Sequence, residues 1–413
     1  MAALPVYGQT INENIKLLPS DSVTNFGFSV SISNATALVG AISDESAYLF
    51  DAITGQQLDI LLPNDGANFD FGRSVAIDGS TAVVGADGGG SGSAYLFNTV
   101  TGKQIAKLIP NDGASSDHFG YSVAISGTMV VVGAYQDDDN GTDSGSAYLF
   151  DATSGQQIAK LLPDDGTTGD WFGRSVAIDG TLAVIGALGD QSAYLFNTTS
   201  GEQIAKLMPN DGASEDDFGY SVAISGNTAI VGARREDGIN FNSGSAYLFD
   251  TITGLQIAKL LPSDGDQEDW FGYSVAISDN TAIVGAWYDD DNGSQSGSAY
   301  LFDTLTGQQL AKLLPSDGGQ SGLFGNSVAI SGDKAIVGAR WDNENGPNSG
   351  SAYVFTASCL ADLTRDFTLD FFDVSVFLTY YMFNNPIADF TGDGVYDFFD
   401  VSAFLSAFNA GCP

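Results

Sequence analysis

The strongest constraint on this 413-residue chain is a phrase that recurs seven times along it. Each copy reads Phe-Gly, then SVAI, VGA, SAYLF, a TGQQ-like turn and IAKLLP, with small variations. Repeats of about 40 to 50 residues are typical of β-propeller blades. The phrases begin at seven phenylalanines spaced 45 to 53 residues apart: Phe26, Phe71, Phe119, Phe172, Phe218, Phe271 and Phe324.

Each copy contains four short segments with strand character, separated by Gly- and Asx-bearing turns. The LLP segment that ends the first six copies is missing after Tyr353, but an equivalent segment stands at residues 15–19, before the first copy. An N-terminal strand can therefore complete the last blade and remove its open edge. We predict an all-β, seven-bladed propeller over residues 11–357, with four-stranded antiparallel blades.

Composition and charge exclude several classes of function. The chain has 51 acidic and 14 basic residues, a formal charge of −37. Nucleic-acid binding needs a Lys/Arg footprint against the phosphates, so we expect no nucleic-acid partner. No apolar run approaches the ~20 residues of a spanning helix, so we expect no transmembrane segment. His118 is the only histidine, and we expect it at the solvated surface.

The acidic residues are concentrated in two connections of each repeat. Only the connections from VGA to SAYLF and from LLP to the next Phe-Gly vary in length, and in an up-and-down blade both emerge on the same face. We call this the loop face. Its connections hold 32 acidic residues and three arginines, Arg234, Arg235 and Arg340. A single-sign face attracts cations, although solubility alone also explains it.

The loop face also carries candidate ligand contacts. Aromatic rings and guanidinium groups there could stack on sugar rings or anchor a protein partner, or instead shield the core. The candidates are Tyr135, Trp171, Arg234, Trp270, Trp287, Tyr288, Arg340 and Trp341. Two Asp-rich loops are weak calcium candidates through Asp137, Asp139 and Asp143, and through Asp289 and Asp291. A recurring Asp-Gly after Pro, as at Asp65 and Asp112, is interpreted as a local turn.

The pattern FGxSVA, VGA and GSAYxF resembles the bacterial FG-GAP-like repeats, relatives of the integrin α-chain propeller. The resemblance implies a secreted or cell-surface interaction propeller that binds a protein or glycan. Integrin-type repeats carry an Asp-rich calcium loop between FG and GAP. Here that interval is fixed at 13 residues with a short hairpin, so we expect those particular calcium sites to be absent.

The C-terminal residues follow a different period. DLTRDFTLDFFD begins at Asp362 and DFTGDGVYDFFD at Asp389, 27 residues later, and an amphipathic segment follows each. The spacing places oxygen ligands at the positions used by calcium loops. The predicted ligands are Asp362, Thr364, Asp366, Thr368, Asp370 and Asp373 in the first loop, and Asp389, Thr391, Asp393, Val395, Asp397 and Asp400 in the second. Thr368 and Val395 would contribute backbone carbonyls.

The duplicated loop and helix resemble a type I dockerin over residues 359–413. This resemblance implies a calcium cofactor and docking onto a cohesin-like partner. Phe367 replaces the glycine expected at the sixth position of the first loop, whereas the second loop keeps Gly394, so we expect weaker binding at the first site. Cys359 and Cys412 bracket the module and are a candidate disulfide, which favours an oxidising compartment.

These observations favour a secreted, cell-surface-associated bacterial interaction protein without catalytic activity, anchored by a calcium-dependent tail. Secretion is an expectation from the resemblance and the cysteine pair, since residues 1–10 show no signal peptide. The competing classes are a carbohydrate-active hydrolase or lyase propeller tethered by a dockerin, and a purely structural envelope protein. Near-uniform repeats argue against an enzyme, because an active site combines different groups at one point.

Overall fold

The computed structural model describes residues 9–66, 69–213, 215–356, 362–364, 369–383, 385–391 and 394–410. Its strands form seven sheets, six antiparallel sheets of four strands and one that gains a fifth, parallel strand. The predicted all-β, seven-bladed propeller is confirmed, and among the described residues two α-helices and a short 3-10 helix follow it.

The strands are numbered in chain order, and each of blades 1 to 6 is formed by four consecutive repeat strands. Two strands precede the first phrase: β1 (Gln9–Ile11) and β2 (Ile15–Leu17). Blade 1 consists of β3 (Phe26–Ser33), β4 (Thr36–Ala41), β5 (Ser46–Asp51) and β6 (Gln57–Leu61), with a short 3-10 helix at Ile42–Asp44. Blade 2 consists of β7 (Phe71–Asp78), β8 (Thr81–Ala86), β9 (Ser93–Asn98) and β10 (Gln104–Leu108). Blade 3 consists of β11 (Phe119–Ser126), β12 (Met129–Ala134), β13 (Ser146–Asp151) and β14 (Gln157–Leu161).

The remaining blades repeat this order. Blade 4 consists of β15 (Phe172–Asp179), β16 (Leu182–Ala187), β17 (Ser192–Asn197) and β18 (Gln203–Leu207). Blade 5 consists of β19 (Phe218–Ser225), β20 (Thr228–Ala233), β21 (Ser245–Asp250) and β22 (Gln256–Leu260). Blade 6 consists of β23 (Phe271–Ser278), β24 (Thr281–Ala286), β25 (Ser298–Asp303) and β26 (Gln309–Leu313). Blade 7 consists of β27 (Phe324–Ser331), β28 (Lys334–Ala339), β29 (Ser351–Thr356) and β2.

Close backbone contact between blades explains the glycines of the phrase. A Cβ on Gly40, in the VGA segment of blade 1, would lie 2.2 Å from the carbonyl oxygen of Gly72, which follows Phe71 in blade 2. Gly72 itself has a φ of +91°, which favours glycine. The Ser29 hydroxyl donates to the same Gly72 carbonyl at 2.8 Å. Equivalent serine-to-glycine bonds join every adjacent pair of blades, so the phrase encodes the blade interface.

The core lies within and between blades. Phe26 is fully buried and packs edge-to-face on Tyr48 and Phe50 of the same blade, and the same trio recurs in each blade. Leu49 of blade 1 belongs to one buried cluster with Phe71 of blade 2. SAYLF is therefore apolar on both faces because each blade is covered by two neighbours.

The ring closes as the sequence predicts. β2 pairs antiparallel with β29, with Lys16 opposite Tyr353, and Leu17 is buried in the last interface. The sequence did not predict β1, which pairs parallel with β26 and adds a fifth strand to blade 6. The segment QTI has no counterpart in the repeat, so periodicity could not reveal it. β1 runs alongside Lys312, with Thr10 opposite it, and the Lys312 side chain is only 5% exposed.

The described C-terminal residues form a second, helical unit. It contains α1 (Phe371–Met382), a 3-10 helix at Pro386–Ala388 and α2 (Phe398–Ala410). Phe377 of α1 stacks on Phe404 of α2 with ring centroids 4.1 Å apart. These residues are 27 positions apart, so the sequence duplication places equivalent rings against each other. Among the described residues, no helix is both long and apolar enough to span a membrane.

Candidate ligand-binding face

Lysines on the outer strands reach the acidic connections of the loop face. Lys160 Nζ of blade 3 lies 2.9 Å from Asp112 and 3.0 Å from Asp137, and it also pairs with Asp139. The Tyr148 hydroxyl donates to Asp137 at 2.8 Å. Burial lowers the pKa of Lys160, but hydrogen bonds to the three carboxylates outweigh it and raise the pKa overall. The lysines in this role are Lys16, Lys107, Lys160, Lys206, Lys259 and Lys312.

This pairing corrects two conclusions from the sequence. The charge count assigned only three arginines to the loop face, whereas six lysines also reach its carboxylates. The Asp-Gly aspartates do more than close local turns. Asp65 forms an ion pair with Lys107, with Nζ 2.6 Å from the carboxylate, although the two residues lie 42 positions apart. Sequence counting missed this because the lysines belong to strands, not to the loops that they contact.

The weak calcium loops hold lysine in this structure. Asp289 lies 2.9 Å from Lys312 Nζ, which also pairs with Asp291, and Lys160 makes the same contacts to Asp137 and Asp139. The backbone N–H of Asp143 donates to Asp138 at 2.8 Å. The weak calcium hypothesis for these loops gains no support from this arrangement.

One cluster of three carboxylates stands out among the described residues as close enough to hold a metal ion. It consists of Asp317, Asp342 and Glu344. Lys16 Nζ lies among them, at 2.6 Å from Asp317 and 2.8 Å from Asp342. An ammonium group therefore compensates these charges too.

The central axis carries a feature that the sequence analysis missed. The residue after each Phe-Gly lines a cavity of about 400 Å³ at the axis, together with Arg340. This position changes from blade to blade while the phrase around it is nearly constant, which is the signal that could have found it. We call these residues the axial ring: Phe28, Arg73, Tyr121, Arg174, Tyr220, Tyr273 and Asn326.

Guanidinium groups stack on the aromatic members of the axial ring. The Arg174 guanidinium carbon lies 4.5 Å from the ring centroid of Tyr121 and 4.7 Å from that of Tyr220. Tyr220 also contacts Arg234 of the loop face, whose guanidinium carbon lies 3.9 Å from the Tyr220 ring centroid. Cations over aromatic faces are attracted to the ring quadrupole, so arginine and aromatic residues hold each other in place.

The predicted ligand contacts converge on the axial ring. Trp287 stacks on Tyr273 with centroids 4.2 Å apart, and Arg340 lies 4.6 Å from the Trp287 centroid. Arg234 lies 5.0 Å from the Trp270 centroid, and Trp270 in turn contacts Tyr288 at 4.6 Å. Trp287 is buried and packs on Tyr273 of the axial ring.

The other candidates lie around this centre. The ring centroid of Tyr135 lies 4.6 Å from that of Tyr121 and 6.5 Å from that of Trp171. The ring centroid of Trp341 lies 5.4 Å from the Arg340 guanidinium carbon. Trp171 and Trp341 are each 37% exposed. One contact network therefore links all eight predicted residues, and its two exposed tryptophans are available to a ligand.

His118 is not the freely solvated histidine that we expected. Its Nδ1 lies 3.0 Å from Asp87, and its ring lies 5.3 Å from Tyr135. The residue belongs to the network around the axial ring.

The sequence profile of the FG-GAP repeat matches seven segments of the chain, at residues 11–50, 56–97, 103–150, 156–202, 201–249, 255–302 and 308–355. The chain belongs to the FG-GAP repeat family. The FG-GAP propeller fold suggests a protein-interaction role. No curated protein matches the chain, and no family match supports the dockerin resemblance of the C-terminal unit.

In the C-terminal unit of this FG-GAP protein, the last aspartate of each predicted calcium loop is buried and accepts backbone hydrogen bonds. Asp400 accepts from Thr391 at 3.0 Å and from Asp397 at 2.9 Å, and these bonds lower its pKa. Asp373 accepts the equivalent bonds from Thr364 at 2.9 Å and Asp370 at 3.0 Å.

The remaining predicted ligands are described only in part. Gly394, at the sixth position of the second loop, has a φ of +76°, a conformation that side chains rarely adopt. The oxygen-only donor set and this turn fit a hard cation such as Ca²⁺. Several predicted residues lie outside the described residues: Cys359, Asp366, Phe367, Thr368, Asp393 and Cys412.

Proposed function

We propose that this FG-GAP propeller is a non-catalytic interaction module that binds a protein or glycan ligand through its loop face. The observation that carries the proposal is the single network of aromatic and guanidinium groups on the one face whose loops vary. The rest of each blade repeats nearly unchanged, which favours a scaffold role for it. Loops on a rigid scaffold are the common location of binding residues.

The experiment compares three forms of the full chain: wild type, W171A/W341A, and L305A as the matched control. Leu305 is 74% exposed in a hairpin on the opposite face, so its removal also deletes an exposed apolar side chain. Each immobilised form is offered solubilised cell-envelope protein from the source organism and a panel of cellulose, xylan, chitin and pectin.

We expect a ligand that wild type and L305A retain and W171A/W341A loses. Equal retention by all three forms would contradict the assignment of the loop face. Release of reducing sugar from the panel would favour the hydrolase or lyase alternative. No retention from either source would favour a purely structural envelope protein.

We further propose that the C-terminal unit is a calcium-dependent, dockerin-like tether for a cohesin-like partner, and that the protein is secreted to the cell surface. Support comes from the paired buried carboxylates of Asp373 and Asp400, the positive φ of Gly394 and the oxygen donor set. The residues named above in each loop would hold the ion, and bound calcium would neutralise their clustered carboxylates. Cys359 and Cys412 would fit an oxidising compartment.

Circular dichroism of the full chain tests the calcium proposal directly, because the described α-helices both belong to the C-terminal unit. We expect the helical signal at 222 nm to fall with EGTA and to return with CaCl₂. The matched pair G394F and F367G exchanges the residue at the sixth loop position. G394F should weaken calcium binding at the second loop, and F367G should strengthen it at the first.

A helical signal that ignores EGTA and CaCl₂ would contradict the calcium proposal. Binding of a recombinant type I cohesin to the calcium-loaded chain but not to the EGTA-treated chain is the expected result for the tether. Cell fractionation that finds the native protein only in the cytosol would contradict secretion.

A further inference from the structure

The arginines of the axial cavity differ from the lysines of the loop face in their partners. In the described part of the chain, each of the six outer-strand lysines has a carboxylate oxygen within 3 Å. Arg174 and Arg340 have no carboxylate within 4.0 Å among the described residues, and Arg73 has only Asp87, at 3.9 Å. Carboxylate partners are abundant in a chain with 51 acidic and 14 basic residues. Arginines on this axis that have no carboxylate partner therefore need an explanation.

In the part of the chain that the structure describes, one donor of a cavity-lining residue and two donors of neighbouring tryptophans have no hydrogen-bond partner. Arg340 Nε is buried without a hydrogen-bond partner, and so are Trp270 Nε1 and Trp287 Nε1. Arg340 contacts Trp287 at 4.6 Å, and the two tryptophan rings lie 5.9 Å apart. A buried donor without an acceptor is costly, so Arg340, which lines the cavity, favours a ligand that supplies an acceptor oxygen.

The Arg174 guanidinium keeps donors for a ligand. Its carbon lies over the rings of Tyr121 and Tyr220, and its N–H groups also hydrogen-bond Tyr220, which leaves further donors among its five N–H groups. A carboxylate accepts two parallel N–H bonds from the edge of a guanidinium, a stronger contact than between neutral groups. The guanidinium is therefore held in position for an oxyanion.

The surroundings limit what that oxyanion can belong to. The cavity, of about 400 Å³, lies on the axis within a ring of loops rich in aspartate and glutamate. This field repels ligands that carry several negative charges. A single carboxylate on an otherwise neutral or cationic molecule fits both the positive centre and the negative rim.

We propose that the axial cavity, through Arg174 and Arg340, binds one carboxylate group of a ligand that has no further negative charge. The inference rests on the proposed interaction function and defines the chemistry at the centre of its face. Arg73 already faces Asp87, so Arg174 and Arg340 provide the carboxylate contacts.

Tryptophan fluorescence of the full chain gives the readout, because all four tryptophans lie on the loop face. The probes are hexanoate, hexylamine and tricarballylate at fixed ionic strength. We expect a saturable change with hexanoate and none with hexylamine, which has the same chain and the opposite charge. Tricarballylate should bind at least about tenfold more weakly than hexanoate, because the rim repels its extra carboxylates.

The variants R174M and R340M remove each guanidinium, and K103M is the matched control. Lys103 is exposed in a hairpin on the opposite face, so K103M makes the same change in net charge. Hexanoate affinity should fall at least about tenfold in R174M and R340M and stay unchanged in K103M. R174K keeps the positive charge but cannot donate two parallel N–H bonds, so its hexanoate affinity should be intermediate. It also provides the test if R174M does not fold.

No hexanoate binding by wild type, or equal affinity in wild type, R174M and R340M, would overturn the inference. An equal loss in K103M would overturn it as well, since only net charge would then matter. Retention of an envelope ligand by the loop face without any hexanoate binding would overturn this inference alone and leave the interaction function standing.

Discussion

At the residue scale, the small side chains of the FG-GAP phrase are set by the distance between blades. Gly133 in blade 3 has no room for a Cβ, which would lie 2.0 Å from the carbonyl oxygen of Gly173 in blade 4. That carbonyl belongs to the next inner strand and already accepts the Ser122 hydroxyl at 2.8 Å. The backbone of one blade therefore fixes the residue type in its neighbour.

We predict that Gly133→Ala costs about 3 kcal/mol or more of unfolding free energy, because a fixed backbone atom must move. Gly127→Ala is the matched control. Gly127 also belongs to blade 3, but a Cβ there meets nothing within 4 Å, and only its φ of +57° opposes alanine. We expect the control to cost about 1 kcal/mol. Urea unfolding measures both values, and equal costs would contradict the proposed role of Gly133.

A buried aspartate on the loop face should make stability depend on pH. Burial raises the pKa of Asp269 to about 6, the hydrogen bond from the Asp266 N–H opposes the rise, and the charge of Asp289 adds to it. The folded state therefore holds a proton that the unfolded state releases near pH 4. The cost of ionising Asp269 is absent below that pH, grows as pH rises towards 6, and is fully present above 6.

We predict that Asp269→Asn stabilises the protein at pH 8 by up to about 3 kcal/mol relative to wild type, and has little effect at pH 4. Asn keeps an acceptor for the Asp266 N–H and carries no charge. Asp333→Asn, in an exposed hairpin on the opposite face, is the control for loss of one charge. Urea midpoints at the two pH values measure the effect, and a gain independent of pH would refute the explanation.

At the element scale, the first two strands have different roles. β2 supplies the outer strand of blade 7, buries Leu17 and brings Lys16 to the carboxylates of Asp317 and Asp342. β1 adds a parallel edge strand to blade 6, where the four repeat strands are already present, and buries Ile11. Ring closure therefore depends on β2.

We predict that a chain starting at residue 13, which lacks β1, has an unfolding temperature within a few degrees of wild type. A chain starting at residue 20 should have an unfolding temperature lower by more than about 5 °C. Both deletions remove the buried Ile11, but only the longer one also removes the fully buried Leu17 and leaves β29 as an open edge. Calorimetry measures the midpoints, and size-exclusion chromatography detects association through the edge. Similar midpoints for both truncations would show that closure contributes little.

At the scale of the whole molecule, repulsion among excess acids opposes attraction within the lysine networks. The net charge is −37, while most lysines lie in partly buried ion pairs that salt screens less than exposed charges. Self-repulsion of a highly charged chain destabilises its compact state. Repulsion should dominate the response to salt, because the 51 acidic residues far outnumber the 14 basic ones.

We predict that raising NaCl from about 0.05 M to about 0.5 M increases the urea midpoint, since the screening length falls well below 10 Å. EGTA is present throughout, so that calcium binding does not contribute. A midpoint that falls with added NaCl would show that the lysine networks control stability instead.

The sequence by itself determined the number of blades, the four strands of each, the closing strand and the duplicated helical unit. These features are periodic, and each depends on residues within one repeat or on a count of repeats. The glycine of Phe-Gly, the glycine of VGA and the apolar pattern of SAYLF recur in every copy, because every blade packs closely against two neighbours. Such local, repeated constraints can be read without coordinates.

Only the tertiary structure decided which residues meet at the axis and how the loop charges are compensated. Arg174 and Arg340 lie in different blades, and Lys107 pairs with Asp65 across 42 residues. No local sequence pattern predicts these contacts, because they form only when the seven copies close into a ring. Closure brings one variable residue from each blade to a shared axis, and there the differences between the copies form one site.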